Sequence, residues 1–553
     1  MINNKELKKF FILNEGKIIS IFFLIYILFG SLIYKDYGFN IDEKFQRTNG
    51  FYWLKYLSNF FGFEELHILA KNKLDGISNY TLPDVNYINI YGIIFDVPAA
   101  YLEILFEINN ELAAYQLRHF LTFFSLWIAS IFFYLLTKNR FKNILISIFG
   151  LLIFITTPRL FGDAFHNNKD IIFLTFYTIS IFYYFKLIDN SSLKNLLFLS
   201  CFAAIATTIR ILGVFIPISL IFLFIVNKFS KKQNFKFSLI FFHIILYLFF
   251  LFIFWPLFWE DTILNFIKYF EIIKVYGSPK ILFLGQYYST HLLPFYYLSF
   301  WVIISTPFFH LCFFFLGISF YISRFLKRFF NVKLNSIYND LWRSKNESKD
   351  FLIFTNLATF LLFFSFFGIH HYNSWRLAYF IYIFIIYFAV YGFYLLKIKS
   401  RKNSKFTFLL ITFVLMGSCF NIYRLNMYHP YQSFYFNVFT PKKIKDTLEV
   451  DYVGLSGIHF LNQIISQEKN SNQIKIGIAS WYPLWFMVDL LDEQDKKKIK
   501  IISNKEIINS DYIYSNRISE VDKRYYKKYD VPENFKKLEF KIDNTIIYEI
   551  YKK

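Results

Sequence analysis

The sequence predicts a mainly α-helical, polytopic membrane protein that ends in a small α/β domain. Three observations predict it. The 553 residues are 56% hydrophobic and 23% aromatic, and the apolar residues gather into runs long enough to cross a bilayer. Short basic clusters separate the runs, as positive-inside topology requires. After Asn426 the hydropathy collapses and short alternating segments replace the long runs. A soluble protein would need about ten buried helices with no polar face, which these basic interruptions exclude.

The runs fall at 18–34, 117–136, 144–157, 171–187, 196–208, 211–226, 237–255, 295–321, 351–367, 377–396 and 406–422, giving about eleven spans. The first follows a basic flank from Lys5 to Lys17 and has no small-x-small cleavage site, which predicts a retained signal anchor. Basic residues occupy alternate connections: Lys138, Arg140 and Lys142; Lys186 and Lys194; Lys228 to Lys236; Arg324 to Lys333; Lys397 to Lys402. That side is predicted to be cytoplasmic, together with the N-terminus.

The other side receives a first outer loop at 38–116 and a second at 259–294. Within the first, Asp96, Glu103 and Glu107 repeat at helical spacing, which predicts an amphipathic interfacial helix over 88–106 rather than a further span. Residues 259–275 carry Ile263, Ile267, Phe270 and Ile273 on one face and predict a second. The segment 193–226 is short for two crossings at about 1.5 Å per residue, so its turn at Arg210 is expected near the depth of lipid phosphates.

The division is therefore 1–425, a transmembrane module, and 426–553, an α/β domain on the outer side. The tail predicts strands at 473–479, 498–502, 511–514, 538–542 and 545–550, the last two joined by Asp543-Asn544, and helices at 455–466 and 484–491.

The net charge of +21 does not imply nucleic acid, because the Lys and Arg residues lie between apolar runs; membrane lipids are the expected partner. The three cysteines lie inside apolar runs and define neither a disulfide framework nor a thiolate site. His166, His291, His370 and His371 have no metal-ligand spacing, so no metal and no cofactor is expected, a divalent cation being kept as a lesser option.

Three outward stretches carry candidate chemistry. Asp42-Glu43 follows the first span; a carboxylate backed by apolar walls can serve as a general base, whereas a solvated juxtamembrane acid pair is the plain alternative. The loop 157–170 holds Arg159 and Lys169, able to grip a phosphate, and Asp163, able to bind a sugar hydroxyl or orient a base; there Pro158 is read as a helix stop and Asp170 as a cap. The loop 368–376 holds His371, Trp375, able to stack on a sugar, and Arg376, able to meet a lipid phosphate; interfacial anchoring is the alternative for the last two.

These pieces together resemble the GT-C superfamily of membrane glycosyltransferases, in the branch similar to protein O-mannosyltransferases and lipid A aminoarabinose transferases. The likeness rests on Asp42-Glu43, Pro158-Arg159-x-Phe161-Gly162-Asp163-x-Phe165-x-Asn167-x-Lys169-Asp170, Trp255-Pro256-x-x-Trp259-Glu260-Asp261 and Leu282-Phe283-Leu284-Gly285-Gln286-Tyr287. It continues through Leu293-Pro294, Trp375-Arg376, His429-Pro430-Tyr431-Gln432 and Asp451-Tyr452-x-Gly454-Leu455-Ser456. The resemblance implies an inverting glycosyl transfer from a polyprenyl-phosphate-linked sugar, with Asp42 as base, Glu43 and Asp163 beside it, and Arg159, Lys169, Arg210 and Arg376 as candidate phosphate ligands. The short tail, without a lectin-like insert, favours a cell-surface glycan or lipid acceptor over a protein. The competing classes are a transporter or flippase of a lipid-linked saccharide, whose ionisable residues would sit near the bilayer midplane, a protein O-glycosyltransferase, and a scaffold presenting the tail.

Overall fold

The computed structural model describes residues 14–77, 90–230, 237–275, 280–330, 341–366, 373–400, 403–518, 529 and 531–553. Among them nine helices are long and apolar enough to cross a membrane, or ten if one bent pair counts as a span. In chain order the elements that position the site begin with α1 (Glu15–Ile33), α2 (Asp42–Phe60), α3 (Glu64–Ile77), α4 (Asp96–Leu105) and α5 (Glu111–Phe141). Then come α6 (Ile144–Ile155), α7 (Pro158–His166), α8 (Asp170–Asp189), α9 (Leu193–Ile209), α10 (Phe215–Ser230), α11 (Phe237–Phe254) and α12 (Thr262–Val275).

The expected outward loop 157–170 is instead mostly helix. Helices α6 and α7 meet at 60°, and every residue of α7 is buried. Pro158 does not merely stop α6: it stands at the first turn of α7, where its missing N–H is no loss. Asp170 is the first residue of α8 rather than its cap. Helix α9 is too short for a full span, as expected, and Arg210 closes it.

A strand pair not read from the sequence, β1 (Lys280–Phe283) with β2 (Gln286–Ser289), interrupts the second outer loop. It turns through Leu284 and Gly285, both at positive φ. The expected span 295–321 is broken at Thr306-Pro307 into α13 (Tyr297–Ser305) and α14 (Phe308–Phe330), because proline lacks the N–H that continuation needs. α15 (Lys345–Phe366), α16 (Tyr382–Ser400) and α17 (Ser404–Met427) complete the bundle. The span 376–400 and helix α8 are its central members, whereas α1, α11 and α17 present mostly exposed apolar surface, as lipid-facing helices do.

The tail carries α18 (Ser456–Gln467), β3 (Ile474–Ile478), α19 (Leu484–Asp489), β4 (Ile499–Ile501), β5 (Tyr512–Ser515), β6 (Lys536–Ile542) and β7 (Thr545–Lys552). The sheet order is β4-β3-β5-β7-β6, with β4, β3 and β5 parallel and β7 antiparallel to both neighbours. Asp543 and Asn544 both take positive φ, the conformation a two-residue hairpin demands and Asx residues tolerate. Asp543 also ties this hairpin to the bundle through Arg424 at 2.6 Å and to Lys445 of the tail at 3.1 Å.

The charged groups gather at two opposite ends of the bundle. At one, Arg140 meets Asp350 at 2.7 Å, Lys349 meets Asp189 at 2.6 Å, and Glu15 meets Lys138. This is the end to which the basic connections map. The candidate residues lie at the other.

Candidate active site

The site starts from the first turn of α2. Asn40 Oδ1 accepts the Asp42 N–H at 2.9 Å, while Glu43 Oε2 accepts the Asn40 N–H at 2.9 Å. This reciprocal pairing satisfies two amides that a helix start leaves open, and the positive end of the helix favours both acids. Successive helical residues point about 100° apart, so the two adjacent acids part company. Glu43 turns inward, 1% exposed, and meets His119 Nε2 of α5 at 3.1 Å. Asp42 stays 42% exposed and meets Arg376 Nη1 at 2.6 Å. Its charged neighbour is a guanidinium, whose Cζ lies 5.7 Å from the Tyr452 ring centre.

The segment before α2 is held by the tail. The Ile41 N–H donates to Val453 O at 3.1 Å, and a Cβ at Gly38 would fall 1.9 Å from Leu455 O. Only glycine permits that approach. The tail therefore sets where α2 begins and so where Asp42 stands.

Helix α7 supplies Arg159 and Asp163, both 2% exposed. Arg159 donates to Tyr435 O at 3.0 Å and Ser374 Oγ at 2.6 Å, and lies 4.9 Å from the Trp301 ring. Asp163 accepts from Tyr379 OH at 3.1 Å and Asn167 Nδ2 at 3.0 Å. Both are embedded rather than presented on a loop. Arg210 is likewise engaged: its Nη2 and Nε lie 2.5 and 3.0 Å from Asp170 Oδ1. This is the pairing with a structural carboxylate that an ionisable residue at such depth requires.

Trp375 is fully buried. Its indole N–H donates to Ser305 Oγ at 2.8 Å, and its ring packs on Tyr379 and Tyr382. It offers no face to a sugar, because the turn into the span 376–400 folds it into the core. His371 and its neighbour His370 lie outside the described residues.

Lys169 differs from the other bases. Among the described residues it makes no ion pair; its Nζ lies over the Tyr91 ring. Burial, then the nearby Arg210 charge, pulls its pKa well below the ordinary range. The interfacial helix α4 is present, but its acidic face turns inward. Asp96 pairs with Arg118 at 3.3 Å and Glu103 with Arg47 at 2.5 Å, because two arginines of α2 and α5 lie beneath it. Burial raises the Asp96 pKa against the pull of Arg118.

Asn40, His119 and Tyr379 were given no role in the sequence reading, and Tyr452 entered it only within a motif. The Asn40-x-x-Glu43 spacing is a capping signal that could have found the first; the others depend on contacts distant in sequence. Among the described residues no group of three or more His, Cys, Asp or Glu side chains could hold a metal ion.

The fold and site thus define a polytopic, mainly helical membrane protein that concentrates its chemistry at one end. Residues 97–259 match the family model for dolichyl-phosphate-mannose-protein mannosyltransferase. That is a glycosyltransferase family, in keeping with the GT-C resemblance, and the matched segment contains Arg159, Asp163, Lys169, Asp170 and Arg210. Three solved structures are also similar. ArnT from Cupriavidus metallidurans in the apo state is 10% identical, covering 97% of this chain and 98% of that one with a TM-score of 0.47. The same protein bound to undecaprenyl phosphate is 9% identical, with coverages of 96% and 97% and a TM-score of 0.45. The archaeal oligosaccharyltransferase AglB from Archaeoglobus fulgidus, in complex with an inhibitory peptide and a dolichol-phosphate, is 12% identical, with coverages of 90% and 69% and a TM-score of 0.44. No curated protein sequence matches the chain.

Proposed function

We propose that the protein is an inverting glycosyltransferase that moves a sugar from a polyprenyl-phosphate-linked donor to a hydroxyl of a cell-surface glycan or lipid. The observation that carries this reading is the difference between Asp42 and the other acids of the three candidate stretches. Glu43, Asp163 and Asp170 are 1–4% exposed by side chain or residue and bound to protein partners, whereas Asp42 is 42% exposed beside an arginine.

In this reading Asp42 takes the proton of the acceptor hydroxyl as that oxygen attacks the anomeric carbon. The bond from that carbon to the phosphate oxygen breaks, the electron pair leaves with the lipid phosphate, and the configuration inverts. Arg376 positions the base, and Glu43 with Asn40 and His119 fixes the helix start that carries it. Of the basic candidates, Arg159 and Arg210 are engaged by protein groups, so Lys169, with Arg376 beside the base, supports charge on the leaving phosphate. The outer face of the cytoplasmic membrane, with the N-terminus cytoplasmic and the tail periplasmic, is the placement that the basic connections support.

The test is Asp42→Asn in the full chain, assayed for sugar transfer from membrane lipid-linked donors. Transfer is expected to fall by roughly 10³-fold or more, with the thermal melt unchanged. Transfer within a few-fold of the parent would remove Asp42 from the mechanism.

A further inference from the structure

The stretch Asp451-Tyr452-x-Gly454-Leu455-Ser456 carries part of the family resemblance, yet it has no part in the reaction drawn above. It is the loop that leads into α18, and it meets both members of the Asp42–Arg376 pair. Val453 O accepts the N–H of Ile41, the residue before Asp42, at 3.1 Å, and Leu455 O stands where a Cβ at Gly38 would fall. At the other member of the pair, the Tyr452 ring centre lies 5.7 Å from Arg376 Cζ. One loop of the tail thus touches the backbone that leads to the base and the guanidinium that holds it.

Asp451 fixes the shape of that loop. It is fully buried, and its Oδ1 accepts the Leu455 N–H at 2.8 Å while its Oδ2 accepts the Ser456 N–H at 3.0 Å and the Ser456 hydroxyl at 2.5 Å. Its carbonyl accepts the Gly454 N–H at 3.3 Å and Asn516 Nδ2 at 3.0 Å. Gly454 turns the chain at a φ of +80°, which residues with a side chain rarely adopt. The Ser456 hydroxyl lies 2.7 Å from Tyr514 OH on β5, so the loop is fastened to the sheet of the tail. Among the described residues no base pairs with Asp451, and burying a carboxylate without one costs stability. What that burial secures is one fixed shape for the loop from which Val453 O and Tyr452 reach the pair.

We propose that Asp451 is a positioning residue for the transfer: it holds the loop 451–456 and, through Val453 O on Ile41 and the Tyr452 ring on Arg376, sets the geometry of the Asp42–Arg376 pair. This rests on the transferase reading above and deepens it, because the tail becomes part of the catalytic apparatus instead of a domain that the bundle merely carries. Asp451 acts through the backbone, not on the reacting atoms. Asp451→Asn replaces one accepting oxygen by an NH₂, which can only donate, so donors of Leu455 or Ser456 lose their acceptor and the loop relaxes. A base displaced by about 1 Å loses about 10²-fold in rate, and a smaller displacement proportionately less.

The test uses the purified full chain with a lipid extract of its source membranes as donor, well below the melting temperature so that folded protein is compared with folded protein. Asp451→Asn is expected to lower kcat by about tenfold or more, with the apparent KM for the donor extract within about twofold. Amide exchange of residues 38–43, read by mass spectrometry, should quicken by about tenfold, because the Ile41 N–H loses its fixed acceptor, while exchange in α7 keeps the parent's rate. Asp42→Asn combined with Asp451→Asn should be no slower than Asp42→Asn alone. Asp543→Ala, which loosens the tail at Arg424 and Lys445, should lower the melt but leave kcat within about twofold. Should Asp451→Asn fail to fold, Ser456→Ala removes the hydroxyl donor alone and should show the same pattern at about threefold. Unchanged kcat or unchanged exchange in Asp451→Asn would overturn the proposal. So would a further drop in the double variant, or an equal loss of kcat in Asp543→Ala, which would reduce the loop to general support of the fold. If exchange responds while Asp42→Asn still transfers sugar, the base assignment falls and the positioning of α2 by Asp451 stands; the reverse result removes Asp451 alone.

Discussion

Arg376→Gln separates two roles for this arginine, holding the base or gripping the donor phosphate. The Arg376 side chain is 13% exposed, but its partner Asp42 is 42% exposed. Removing a partner from a fully buried pair strands a charge and costs about 3–5 kcal/mol. Here the stranded carboxylate can rehydrate, so the pair falls toward the surface range of about 0–1 kcal/mol. The thermal melt should barely move. Catalysis responds differently, because a base displaced by about 1 Å loses about 10²-fold in rate. Sugar transfer by Arg376→Gln should therefore drop by about 10²-fold, or about 2.7 kcal/mol in the barrier. A double variant with Asp42→Asn decides the route. If Arg376 acts through Asp42, the double variant is no slower than Asp42→Asn alone. A further drop of about tenfold or more in the double variant would show that Arg376 touches the donor independently, and unchanged transfer in the single variant would refute the positioning role altogether.

Three other outcomes follow from the same geometry. Asp170→Asn should destabilise by about 3–5 kcal/mol, because Arg210 is 12% exposed and would be left charged without its carboxylate, whereas Asp170→Leu with Arg210→Met should recover much of that loss; equal melts for single and double variants would contradict it. Burial pushes Glu449 up to about 7 against the opposing Leu282 N–H and Asn373 amide. Relative to about 4.3 in an unfolded chain, such a carboxyl gives stability fully present below pH 4.3 and lost as pH rises through 7, about 4 kcal/mol in all. Glu449→Gln should flatten the fall in melting temperature between pH 4.5 and 8, and a melt with the parent's full slope would refute this. Trp375→Phe should lower stability by about 1–3 kcal/mol through the lost indole hydrogen bond to Ser305 Oγ and lost packing, with KM for the donor unchanged; a raised KM would restore it as a sugar contact.

The long apolar helices and the sheet of the tail were legible because each is coded locally. Period-two alternation and Asp543-Asn544 fixed the last hairpin, and uninterrupted apolar runs marked the spans. The helix α7 was misread as a loop because its Arg, Asp and His residues look solvent-seeking in sequence. They are buried because each finds a partner far away: Tyr435 O and Ser374 for Arg159, Tyr379 for Asp163, Ser433 for His166 at 2.8 Å. No local pattern encodes partners more than two hundred residues distant. The same holds for Asp170 and Arg210, which read as a cap and a phosphate ligand until the fold brings them together.

Pairing also bears on the choice between an enzyme and a carrier. At the end of the bundle where the basic connections lie, Arg140, Lys349 and Arg328 each meet a carboxylate within 2.7 Å, and Asp350 further accepts the Tyr387 hydroxyl. That network is structural, for it uses its charges on one another. At the opposite end the same accounting pairs Asp42 with Arg376 yet leaves that acid 42% exposed, and Lys169 makes no ion pair among the described residues. A carrier of lipid-linked saccharide would need ionisable groups near the bilayer midplane, able to face either side in turn. The polar pairs buried between helices α9 and α11, Ser200 with His243 at 2.7 Å and Thr207 with Tyr247 at 2.9 Å, contain no carboxylate, lysine or arginine. A half-exposed carboxylate that water and an acceptor can reach suits the surface transfer proposed above better than a carrier.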